Sequence, residues 1–207
     1  MLRKKHKRVA MRGNDERGLM KLPRDRISVM PIHTLLSCPY AAIGARSYMP
    51  ERKTFDIDLL IHPDSLDAAR ASLRSHGGAL RRQLPFFHTH LGLEGERWDV
   101  PGELPIDILW SNHAWVDDAL HATVEDETGV FSAPLWAMVV LKIDASGSQD
   151  QGDIAKMLCL ASDEALADVR ARVAALLPNE VEDVETYISF GRFDVGRDEH
   201  GRFEGES

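Results

Sequence analysis

Cysteine is scarce, two residues in 207, at Cys38 and Cys159. Both lie in apolar settings without metal-ligand spacing, so no disulfide framework or cysteine zinc site is expected, and a reduced cytoplasmic compartment is the simplest reading. No apolar run approaches the roughly 20 residues that a membrane-spanning helix needs. Residues 1–18, MLRKKHKRVAMRGNDERG, are basic but lack the apolar segment of a secretory signal and read as a solvated arm. Positive charge is in deficit, with 25 Lys and Arg against 33 Asp and Glu and a net charge of −8. That balance argues against a surface given over to nucleic acid and leaves room for a local basic groove. No internal repeat is visible. What remains is ordinary for a globular protein, 43% hydrophobic and 28% charged, and long enough for one well-cored domain with a small helical appendage.

The informative stretch is Tyr40 to Ile61, YAAIGARSYMPERKTFDIDLLI. Asp56 and Asp58 flank Ile57 and run into Leu59, Leu60 and Ile61. In a strand the side chains alternate, so both aspartates leave one face while Ile57 enters the core on the other. Two carboxylates side by side oppose each other's ionisation unless a cation sits between them. Oxygen-only donors favour a hard ion such as Mg²⁺, which commonly joins one or two carboxylates to substrate phosphates. Upstream, Gly44-Ala45-Arg46-Ser47 offers a glycine for close backbone approach, a guanidinium and a hydroxyl, where a phosphate could rest. Arg52 and Lys53 stand at the mouth of the strand expected over Thr54 to Ile61, placed to bind anionic phosphates or simply to face solvent.

Farther along, Pro63-Asp64-Ser65 predicts a helix start, and Leu66 to Ser75 has helical spacing before Gly77-Gly78 stops it. If Leu84 to Leu91 is extended, His88 and His90 share one face. No third ligand stands nearby, so an exposed or stacking face is preferred to zinc. Residues 92 to 103 read as a Gly- and Glu-rich loop. Leu104 to Trp110 (LPIDILW) is an apolar strand interrupted by Asp107. Placed beside the first strand, it would bring a third carboxylate to the site, enough for two Mg²⁺ ions about 3.5–4 Å apart. Helices are expected over His113 to His121, from Ala133 through PLWAMVVLKI with Lys142 as its one cation, from Asp150 to Leu160, over Asp163 to Leu177, and from Glu180 to about Ser189. Asp150 and Asp153 read as helix-start carboxylates.

Gly44-Ala45-Arg46-Ser47, Arg52-Lys53-Thr54, Asp56-Ile57-Asp58, Asp107, and Leu141-Lys142 followed by Asp150 and Asp153 together resemble the nucleotidyltransferase superfamily built on the DNA polymerase β core. The likeness spans roughly residues 30 to 160 and is greatest to small prokaryotic members, including AbiEii-type toxin–antitoxin nucleotidyltransferases. In that family a glycine turn precedes a D-x-D strand, a later strand supplies a third acid, and a helical tail carries a lysine. The family's turn has glycine followed by glycine or serine. Here Ala45 follows Gly44, so Ser47 or backbone N–H groups would hold the phosphate.

The resemblance implies an α/β (α+β) fold with a mixed sheet flanked by helices and a C-terminal helical segment. It implies transfer of NMP from an NTP to a hydroxyl on RNA, protein or a small molecule, with two Mg²⁺ ions on Asp56, Asp58 and Asp107. Gly44, Ala45, Arg46, Ser47, Arg52, Lys53 and Lys142 would face the phosphates, and a cognate toxin or antitoxin would be a partner. The expected organisation is a disordered arm over 1–29, a core over 30–132, helices over 133–190 and a disordered tail over 191–207. Two other readings stand beside this one. One is a binding module or antitoxin that keeps the pocket without turnover; the other is a metal-dependent phosphohydrolase, since paired aspartates alone do not separate transfer to water from transfer to an alcohol.

Overall fold

The computed structural model describes residues 31–44, 48–49, 55–86, 90–126, 129–145 and 148–199. Its centre is a seven-stranded mixed sheet, ordered β3-β4-β5-β2-β1-β7-β6. The strands are β1 (Tyr40–Ala42), β2 (Ile57–Ile61), β3 (Ala79–Gln83), β4 (Glu94–Asp99), β5 (Ile106–Trp110), β6 (Val124–Glu125) and β7 (Phe131–Ser132). β2 and β5 run parallel, as do β1 and β7, and the remaining neighbours are antiparallel. The central strands β2 and β5, IDLLI and IDILW, are nearly unbroken apolar runs, as strands covered on both faces must be. The edge strand β3 is exposed along its length and carries Arg81 and Arg82, charges that discourage pairing with another chain.

Helices cover both faces. Helices α1 (Ile32–Leu35) and α2 (Leu66–Ser75) bury Leu35, Ala69 and Leu73 against Leu59, Ile61, Ile106 and Ile108. On the other face, Ala41, Leu60 and Leu109 belong to one apolar cluster with α3 (Trp115–His121), α4 (Leu135–Ala145), α5 (Ser148–Cys159), α6 (Asp163–Leu176) and α7 (Val181–Glu199). Strand alternation sorts these side chains: Ile57, Leu59 and Ile61 face one way, Asp58 and Leu60 the other. No helix among the described residues is long and apolar enough to cross a membrane.

Three local expectations are corrected. Residues 92–103 contain β4 rather than a loop, because their charged side chains find partners across the sheet while Trp98 is buried. Gly95 fits there because a Cβ would come within 2.6 Å of Leu109 and 2.8 Å of Phe86. The second shift is that the strand lies at Ala79–Gln83, with residues 84–86 and 90–91 outside any strand; residues 87–89 are outside the described set. Third, the last helix passes Ser189 and continues to Glu199. Its reason is contact: Val184, Ile188 and Gly191 lie at helical spacing on the buried side, and a Cβ on Gly191 would stand 2.2 Å from the Ala155 carbonyl of α5. That glycine is a helix–helix contact rather than a tail residue. The arm over 1–29 lies outside the described residues.

Candidate metal and phosphate site

Parallel pairing of β2 and β5 sets Asp58 directly opposite Asp107, and β4 sets Arg97 opposite Asp107 on the other side. Residues opposite one another share a face, so a row of Arg97, Asp107 and Asp58 runs across three adjoining strands. Asp56 stands in the bend just before β2, so the strand is shorter than the Thr54 to Ile61 expected. Its carboxylate still joins the others. One ligand oxygen each from Asp56, Asp58 and Asp107 lies within 4.8 Å of the other two. Among the described residues this is the one group of three or more metal-capable side chains; His90, exposed, instead lies 3.4 Å from Asp144.

Arg97 closes one side of the trio. Its Nε and an NH2 nitrogen donate to the two oxygens of Asp107 at 2.6 and 2.5 Å, and the same NH2 nitrogen donates to Asp56 at 2.9 Å. The fork on Asp107 has the paired geometry at which a guanidinium binds a carboxylate most strongly. Asp107 is 7% exposed and Asp56 36%, so the pairing is tightest where water is scarcest. The carboxylates in turn hold the Arg97 guanidinium even more firmly protonated than usual, chiefly through the hydrogen bonds to Asp107.

Asp58 differs from its companions. Among the described residues no group donates to its carboxylate, and burial pushes that carboxyl up to about 7. The charges of Asp56 and Asp107 push the same way, while Arg97 and Lys142 oppose them without prevailing. One guanidinium is thus too little positive charge for three carboxylates, and the shortfall falls on Asp58. The donor set is all oxygen, compact and under-neutralised, which fits a hard divalent cation.

Lys142, on α4, lines a cavity of about 170 Å³ with Asp58, Ile43, Phe86, Leu109 and Met138. Its Nζ donates to Asp150 at 2.7 Å and to Asp153 at 3.0 Å, both on α5. Asp150 stands in the first turn of that helix as expected, and both carboxylates are also the anchors of the lysine. Gly44 follows β1 at the same end of the sheet; a Cβ there would meet nothing within 4 Å, so no internal contact demands glycine. Ala45, Arg46, Ser47, Arg52 and Lys53 lie outside the described residues.

The sequence reading missed Arg97. The signal was present in the alternation of Glu94 to Asp99: Glu96 and Trp98 face the α2 side, where Arg70, Gln83 and Trp98 all donate to Glu96. Arg97 must then face the acids.

No family model matches the sequence, and no curated protein matches it. Among solved structures, the chain is similar to the antibiotic-resistance factor ANT(2″)-Ia, with 16% identity and a TM-score of 0.39, over 79% of this chain and 89% of that one. A likeness at that level leaves reaction and substrate to be argued from the site.

Proposed function

We propose that the chain is a divalent-metal-dependent nucleotidyltransferase that moves NMP from an NTP to a hydroxyl acceptor on RNA, protein or a small molecule. The observation that carries this reading is the convergence within 4.8 Å of Asp58 and Asp107, from two parallel in-register strands, with Asp56 from the bend that leads into the first. Mg²⁺ held by these three carboxylates would neutralise charge on the triphosphate and on the departing pyrophosphate. In this reading Asp107, the most buried of the three, accepts the proton of the attacking hydroxyl once Arg97 releases it. The hydroxyl oxygen bonds to the α-phosphorus, the bond from that phosphorus to the bridging oxygen breaks, and pyrophosphate leaves with the electron pair. Lys142 presents an ammonium beside Asp58, and Gly44 leaves the backbone open to a phosphate. Ala45, Arg46, Ser47, Arg52 and Lys53 complete the phosphate-binding set in this proposal, and the two-ion stoichiometry belongs to it as well.

The test is transfer of label from α-labelled NTP with Mg²⁺, across a panel of RNA, protein and small-molecule acceptors. Wild type should label an acceptor and Asp58→Ala should not. Equal labelling by both would refute the assignment, and NMP release into water with no acceptor would move it to a phosphohydrolase.

One observation favours a second reading. Arg97 already pairs with Asp107 and Asp56, as expected of a fold that keeps a nucleotide pocket without turnover, and such a module would be one half of a pair with a cognate toxin or antitoxin of the AbiEii kind. Saturable NTP binding with no transfer to any acceptor would favour that module.

A further inference from the structure

Arg97 is a cation that the acidic site already contains. Its guanidinium occupies both oxygens of Asp107 and one of Asp56, and these residues supply two of the three carboxylates in the trio. A guanidinium and a metal ion would therefore compete for the same lone pairs. Arg97 cannot yield by deprotonating, since arginine stays charged in proteins. A divalent ion entering beside it would face a like charge at close range. The backbone of Arg97, by contrast, has little reason to move. Glu96, 1% exposed on the opposite face, accepts hydrogen bonds from Arg70, Gln83 and Trp98 and pins β4 there. The Arg97 side chain is 22% exposed, so its long stem can turn toward solvent while the strand stays in register.

We propose that Arg97 is an exchangeable counter-cation, which holds Asp56 and Asp107 together in the cation-free protein and must release them when a divalent ion binds, so that it sets the cation affinity of the site. The inference rests on reading the trio as a cation site and is independent of whether nucleotide transfer follows. It makes Arg97 a positioning residue in the cation-free state and a competitor during loading. A merely structural arginine would behave oppositely: removing it would splay the carboxylates and weaken cation binding.

The experiment titrates Mn²⁺ into the full chain by calorimetry at pH 7.5, for wild type, Arg97→Gln and Arg97→Lys. Arg97→Gln should bind on the order of tenfold or more tightly than wild type, because the competing charge is gone. Arg97→Lys should fall between, since one ammonium cannot make the two-pronged contact. In wild type, the Arg97 Nε–H resonance, assigned by its disappearance in Arg97→Gln, should shift as Mg²⁺ is added. If Arg97→Gln does not fold, Arg97→Lys must still bind more tightly than wild type. Unchanged or weaker affinity in the folded variants, an unmoved Nε–H resonance at saturating Mg²⁺, or wild-type binding that survives in Asp58→Ala would overturn the proposal. Tighter binding without any NTP transfer would keep this exchange and sink the enzymatic reading. Transfer by wild type with no gain in affinity in the variants would do the reverse.

Discussion

Replacing Asp58 by asparagine should flatten the pH dependence of stability in the metal-free protein. The Asp58 carboxyl, ordinarily near 3.8, is pushed up to about 7 by burial and by its two acidic neighbours. Below pH 3.8 it is protonated in folded and unfolded chains alike, and its ionisation costs the fold nothing. Between the two values the unfolded chain gives up its proton while the folded chain keeps it, so stability falls as pH rises. Above about 7 both states are ionised and the full penalty applies. At about 1.36 kcal/mol per decade of pKa, the interval corresponds to roughly 4 kcal/mol. Linkage places the smaller part of this loss below pH 5 and the larger part between pH 5 and pH 8. Asparagine does not titrate, so Asp58→Asn should gain roughly 2–3 kcal/mol relative to wild type between those two pH values. Comparing the difference at two pH values cancels the packing cost of the amide itself. The assay is urea denaturation of both proteins at pH 5 and pH 8 with a chelator present. Parallel pH profiles for the two proteins would refute the claim that Asp58 is an under-neutralised, partly buried acid. Added Mg²⁺ should then stabilise wild type by about 2.7 kcal/mol at a hundredfold excess over its dissociation constant, and Asp58→Asn by less.

Other perturbations follow from the same contacts. Asp107→Ala removes the two-pronged partner of Arg97 and should cost about 1–2 kcal/mol, read by thermal or urea denaturation, because the guanidinium loses two charge-assisted hydrogen bonds but keeps Asp56 and can reach solvent. Gly191→Val would drive a side chain against the Ala155 carbonyl and should cost roughly 1–3 kcal/mol, with loss of helicity by circular dichroism. Tyr48→Phe removes the hydroxyl that donates to the Ala133 carbonyl at 2.8 Å and should cost about 1 kcal/mol in urea denaturation. Lys142→Met strips Asp150 and Asp153 of their shared ammonium and should weaken NTP binding in a titration, with wild-type affinity counting against its role at the phosphates.

The acids were legible and their counter-charge was not. Asp56 and Asp58 announce themselves because a D-x-D pair leading into LLI has no structural reason to exist in an apolar strand without compensation. Asp107 does the same in LPIDILW. Arg97 sits instead among Glu94, Glu96 and Asp99, where charge is dense and reads as a solvated loop. Only strand pairing reveals that Glu96 and Arg97 serve opposite faces, one held by Arg70 and the other holding Asp107. The longer final helix was hidden for a similar reason: glycine at 191 is a poor helix former in isolation, and its value lies in letting α7 lie against α5.

By itself the sequence determined the helix over Leu66–Ser75 and the three acidic candidates, because capping and isolated charges in apolar runs are local patterns, while the α/β class came from the resemblance those residues carry. Tertiary structure alone decided that β2 and β5 are parallel neighbours with Asp58 opposite Asp107. It also decided that Arg97 is the cation bridging Asp107 and Asp56 and that Lys142 is held by Asp150 and Asp153. Register and pairing depend on how distant segments bury their apolar faces together, and no window of the sequence contains both partners.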